Sequence, residues 1–144
     1  VHRTKSSVRR HGGSAKTYSD LKQLLPVANI MNHDQLYLLK PDFHDRGKIY
    51  FCPGCAEMVG LLEFYPALKQ RVDVHYVDYP RPRPELISLL GEENQSCPVL
   101  VLKSVPPDLP ARLKVQRANG HAFVADAREI AEYLAHVHGT GLPH

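Results

Sequence analysis

The 144-residue chain holds only three cysteines, Cys52, Cys55 and Cys97. A secreted scaffold stapled by disulfides calls for more thiols and an even number. These three are therefore expected to stay reduced, in a cytoplasmic setting, and to serve chemistry or a metal. No run of eighteen apolar residues occurs, so no segment reads as a membrane-spanning helix and no membrane partner is expected. No secretory apolar core is read near the start. Net charge is small as well, the formal value being +3. Residues 1–30 carry six cations against one Asp, or +5, which leaves −2 for the remainder. A nucleic acid would find only that first segment to hold, and none is expected as a partner. No internal repeat is present.

What is there divides near residue 30. Residues 1–30 form a basic segment, read as disordered or outside the domain, with one short helical stretch around Leu21, Leu24 and Leu25 capped by Ser19. A solvated tail, a transit-type peptide and a stretch upstream of the true start at Met31 are the three readings of it. Residues 31–144 are read as one domain. Gln35–Lys40 is a short apolar run stopped by Pro41, expected to be a buried strand. Asp42–Phe51 reads as a long polar loop. Ala56–Tyr65 has helical spacing up to Pro66, and Val72–Tyr79 alternates as a strand does. After Pro80, Pro82 and Pro84, Glu85–Leu90 makes a short helix ended by Gly91. Cys97-Pro98-Val99-Leu100-Val101-Leu102 is a strand with proline at its start. Residues 103–114 read as an insertion, and Arg112–Arg117 as an additional edge strand. Asn119-Gly120 signals a tight turn before His121–Val124, and Asp126 caps a last helix that Gly139 closes.

The stretch Phe51-Cys52-Pro53-Gly54-Cys55 carries the chemistry. Pro53 suits the first helical position, which puts Cys52 at the cap, facing unpaired amides and the positive end of the helix dipole. In such settings a cysteine pKa falls to roughly 3.5–7.5 from about 8.5, giving a nucleophilic thiolate. Cys55 lies one turn further on the same side, where a resolving thiol belongs. A right-handed strand–helix–strand unit brings Cys52 and the loop Pro80–Pro84 to one edge of the sheet. An antiparallel third strand would bring Cys97-Pro98 there too. Arg81 and Arg83 on that edge are candidate clamps for a substrate carboxylate. His44 and His75 are read as surface or satisfied residues.

With two cysteines opening a helix, βαβ followed by ββα, and an X-Pro at the third strand, the chain resembles the thioredoxin-like superfamily over about residues 35–139. That resemblance implies an α/β fold with a four-stranded mixed sheet and flanking helices. Cys52-Pro53-Gly54-Cys55 is similar to the glutaredoxin motif, and Asp126-Ala127-Arg128-Glu129-Ile130 is similar to a stretch of glutathione-transferase N-terminal domains. The runs from Leu36 to Pro41, Phe51 to Pro66 and Tyr79 to Leu102 are similar to an uncharacterised bacterial family, the domain of unknown function 3088. The resemblance implies Cys52 as nucleophile, Cys55 as resolving thiol and Pro98 as a cis-proline shaping the substrate groove beside Cys97. It implies Asp126 as a contact for the γ-glutamyl amine. Glutathione as co-substrate, or a protein disulfide, is the partner it implies, with no resident cofactor. Ala127 departs from the transferase serine at that position.

Two other readings stay open from the residues. In one, Cys52, Cys55 and Cys97 hold zinc or an iron–sulfur cluster in a non-catalytic module, although no second close cysteine pair is present. In the other, the domain is an interaction surface, self-associating as a homodimer.

Overall fold

The computed structural model describes residues 31–144, and the expectations for the basic segment and its short helix fall outside them. Five strands build a mixed sheet: β1 (Asp34–Leu39), β4 (Val72–Val77), β5 (Val99–Leu102), β6 (Gln116–Ala118) and β7 (His121–Ala125). Their order is β4-β1-β5-β7-β6. β1 runs parallel to β4, with Leu36 opposite Val74, and antiparallel to β5, with Leu36 opposite Leu100. The four-strand expectation is corrected to five, because the chain before β7 pairs as an edge strand with Arg117 opposite Ala122.

β5 explains why its sequence is apolar without interruption: it is the middle strand, covered on both faces. Leu100 and Leu102 join one core with residues of α1 (Pro53–Phe64) and α3 (Ala127–His138), including Met58, Leu62, Ile130 and Leu134. Val99 and Val101 face the other way, packing with Leu86 and Leu90 of α2 (Pro84–Leu90). Helices thus flank the sheet on both sides. Every fully buried Leu or Val here contributes roughly 1.5–3 kcal/mol through lost apolar surface.

At the end of the sheet away from the cysteines, one carboxylate is buried with its partners. Asp34 is 5% exposed, accepting from the Lys103 amide at 2.8 Å and the Tyr133 hydroxyl at 3.1 Å. Burial and that carboxylate hold the Tyr133 phenol well above its usual range.

The segment read as a polar loop is a two-stranded hairpin. β2 (Phe43–Asp45) pairs with β3 (Lys48–Tyr50) across Arg46-Gly47, both at positive φ. A two-residue turn with two positive φ values matches the twist of the strands it joins. The Phe43 ring stacks on Tyr79 at 4.2 Å between centroids, tying the hairpin to the chain after β4. The hairpin delivers Phe51 and Cys52 to the start of α1.

Candidate functional site

Cys52 is the N-cap of α1, with extended φ and ψ, and Pro53 follows in the first turn. Its sulfur accepts the backbone N–H of Cys55 at 3.2 Å. A polar side-chain atom facing the first amides of a helix satisfies donors that have no intrahelical partner. No acidic residue stands in that first turn to compete for the positive end of the dipole. Cys52 is half-buried, whereas Cys55 is 4% exposed.

Burial pushes the Cys55 thiol up to about 12, with the adjacent Cys52 sulfur adding to the rise. The Leu39 amide, which donates to Cys55 Sγ at 3.3 Å, opposes it. The two sulfurs therefore differ in kind: one meets solvent and a helix amide, and the other keeps its proton inside the core. All three cysteines are free thiols.

Cys97 and Pro98 arrive at the same edge. Cys52 Sγ lies 3.9 Å from the Cys97 carbonyl oxygen, and the Cys97–Pro98 peptide is cis. Burial raises the Cys97 thiol to about 11, against the opposing positive charges of Arg83 and Arg81. Gly54 is part of this arrangement, and its motif neighbours hid it in the sequence. A Cβ there would stand 3.1 Å from Pro98 Cδ and 3.4 Å from Ala127 Cβ. The starts of α1 and α3 and the start of β5 thus meet on a residue without a side chain.

The two arginines part company. Arg81 is exposed, its guanidinium reaching Ser96 Oγ at 3.4 Å. Arg83 is 5% exposed and turned inward. Its Nε donates to the Asp78 and Tyr79 carbonyls at 3.1 Å each, and its two terminal nitrogens donate to the Gln95 and Tyr79 carbonyls. The Arg83 amide in turn donates to Oε1 of buried Gln95 at 2.7 Å. All three guanidinium nitrogens are spent on backbone carbonyls, two on the loop between β4 and α2 and one on Gln95 beyond α2, so the expected carboxylate clamp reduces to Arg81. An Arg between prolines gives no sequence signal for this; the buried Gln twelve residues on is the partner that would have shown it.

Asp126 stands at the start of α3 with φ 78°, and its carboxylate accepts the Arg128 amide at 2.9 Å. It is exposed, and the adjoining Ala127 touches the Gly54 corner. His75 bonds Gln35 at 2.6 Å and stacks on Tyr37, away from the sulfurs. Among the described residues, no group of three or more His, Cys, Asp or Glu side chains is disposed to hold a metal ion.

Beside the two sulfurs opens a cavity of about 580 Å³, whose walls include Leu39, Pro41, Phe51, Val59 and Tyr76. Neither Phe51 nor Tyr76 stood out as a site residue in the sequence, because Phe51 ends a stretch read as loop and Tyr76 reads as one position of an alternating strand.

Fold and site together define a mixed α/β domain with a dithiol pair at a helix N-terminus, flanked by a third thiol and a proline. The family model described as "Protein of unknown function (DUF3088)" matches residues 33–142, and the chain belongs to that family. No curated protein and no solved structure matches. No helix among the described residues is long and apolar enough to cross a membrane.

Proposed function

We propose that the protein is a thiol–disulfide oxidoreductase of glutaredoxin and thioredoxin type, built on a thioredoxin-like fold. The observation that carries this is the Cys52 sulfur at the head of α1, accepting a helix amide while its partner Cys55 sits one turn deeper with its proton held. An amide donor and the helix dipole favour an anionic sulfur, the attacking species in disulfide exchange.

In the first step, the Cys52 thiolate attacks a substrate disulfide; a Cys52–S–S–R bond forms, the substrate S–S bond breaks, and the departing thiolate carries away the electron pair. Cys55 then loses its proton to solvent base and attacks the Cys52 sulfur, releasing the second substrate thiolate and leaving a Cys52–Cys55 disulfide. Formation of the mixed disulfide removes the free Cys52 sulfur that helps hold the Cys55 proton, which eases this second step. Glutathione or another thiol closes the cycle by reducing the protein disulfide. The Cys97 carbonyl beside Cys52 and the exposed Arg81 are the groups best placed for the substrate backbone and a carboxylate. Asp126 is a further contact for an amine, through whatever share of its carboxylate the helix cap leaves free.

The metal-module reading has no ligand cluster behind it among the described residues. The test is reduction of bis(2-hydroxyethyl) disulfide with glutathione as reductant. Wild type should turn over and Cys52→Ser should fall to background, while Cys55→Ser mixed with the disulfide in the absence of glutathione should stop as a mixed disulfide visible by intact mass. A reduced wild-type protein no faster than free glutathione would overturn the proposal.

A further inference from the structure

We infer that the substrates of Cys52 are small disulfides with at least one apolar half, aryl or branched alkyl, and that this half lies in the cavity beside the two sulfurs. The inference rests on the dithiol reading above and narrows it to a substrate class.

The cavity, at about 580 Å³, falls within the roughly 300–1,000 Å³ of small-molecule sites. Three stretches of chain build it, and Cys52 and Cys55 form part of the wall. Anything seated there has its sulfur beside the attacking one. Phe51, Val59 and Tyr76 are 60%, 37% and 49% exposed, so apolar surface beside a nucleophile lies open to water. Covering that surface is favourable for an apolar group and for little else.

Charge argues the same way. Among the described residues, Lys40 is the one charged side chain on the wall, and its ammonium lies 2.8 Å from the Asp78 carboxylate. Among the described residues, a substrate carboxylate therefore finds only this already paired ammonium on the wall, with Arg81 outside the cavity. The β1 backbone along the wall is also occupied. The Leu39 amide donates to Cys55 Sγ and the Lys40 amide to the Val77 carbonyl.

The chemistry is the exchange already written. Cys52 attacks the sulfur bearing the apolar half R, forming Cys52–S–S–R and releasing the other half as thiolate; Cys55 then displaces R–S⁻, and an external thiol such as glutathione reduces the protein disulfide.

The experiment is single-turnover reduction of benzyl 2-hydroxyethyl disulfide and of bis(2-hydroxyethyl) disulfide by the reduced full chain. Each rate is divided by the rate with free dithiothreitol, which removes intrinsic reactivity. The expected result is a normalised preference of about tenfold or more for the benzyl compound. Val59→Lys, at a partly exposed helix position, should cut that preference at least fivefold, and Phe51→Ser provides the same test from the segment preceding the helix. A wild-type preference near one, or a full preference retained in both variants, would overturn the apolar class while leaving the dithiol reading in place. If neither disulfide reacts faster than with Cys52→Ser, both fall together.

Discussion

Two helices start side by side at one edge of the sheet, α1 and α3, and they are capped by different chemistry. α3 is capped by the Asp126 carboxylate on the Arg128 amide at 2.9 Å, with Glu129 in its first turn. α1 is capped by a sulfur at 3.2 Å, with no acidic residue in its first turn. Oxygen-bearing side chains are the strong caps, and cysteine is not among them. The difference teaches that α3 begins on a strong oxygen cap, while α1 begins on a weaker sulfur cap, as the proposed nucleophile at its positive end requires.

Four substitutions or titrations break or sharpen that contrast. The largest effect is expected from Cys52→Ser, which abolishes disulfide reduction yet leaves the melting temperature unchanged or higher, because serine is the better cap; activity and thermal melts on the same preparation check both halves. Next comes alkaline pH. An unfolded cysteine titrates near 8.5, while burial holds Cys55 to about 12 and Cys97 to about 11. Between those values the folded state binds more protons. The stability linked to these thiols is full below about pH 8.5 and is lost as pH rises through the window. Denaturant melts at pH 8 and pH 10.5 should show the fall, and Cys55→Ala should flatten part of it.

A smaller effect is expected at the corner the two helix starts share. Gly54→Val forces a side chain against Pro98 and Ala127, and overpacking of this sort costs roughly 1–3 kcal/mol, readable in denaturant midpoints along with slower turnover. Asp126→Ala is the mildest. It removes the cap and places alanine at φ 78°, a loss of roughly 1–2 kcal/mol. Cys52 alkylation at neutral pH should keep its wild-type rate in this variant.

Two turns show what was legible in the sequence and what was not. Asn119-Gly120 and Arg46-Gly47 both hold two positive φ values at the tip of a two-residue hairpin. The first was readable because Asn tolerates that conformation; the second was read as loop because Arg gives no such signal. That miss hid the hairpin and the way it presents Phe51. β5, the α1 start and the Asp126 and Gly139 caps were readable, since apolar runs and caps are local patterns. Arg83 was misplaced because its role is fixed by Gln95 and by carbonyls brought in by the fold, which no spacing along the chain encodes. The cavity was invisible for the same reason, as its walls come from three separate stretches of chain.

The central claim is that one of three thiols is set apart by the helix it caps. Brief treatment of the reduced protein with iodoacetamide at neutral pH, followed by peptide mass spectrometry, reads it directly. Modification at Cys52 well ahead of Cys55 and Cys97 is the predicted result; equal modification of all three, or Cys97 leading, would contradict it.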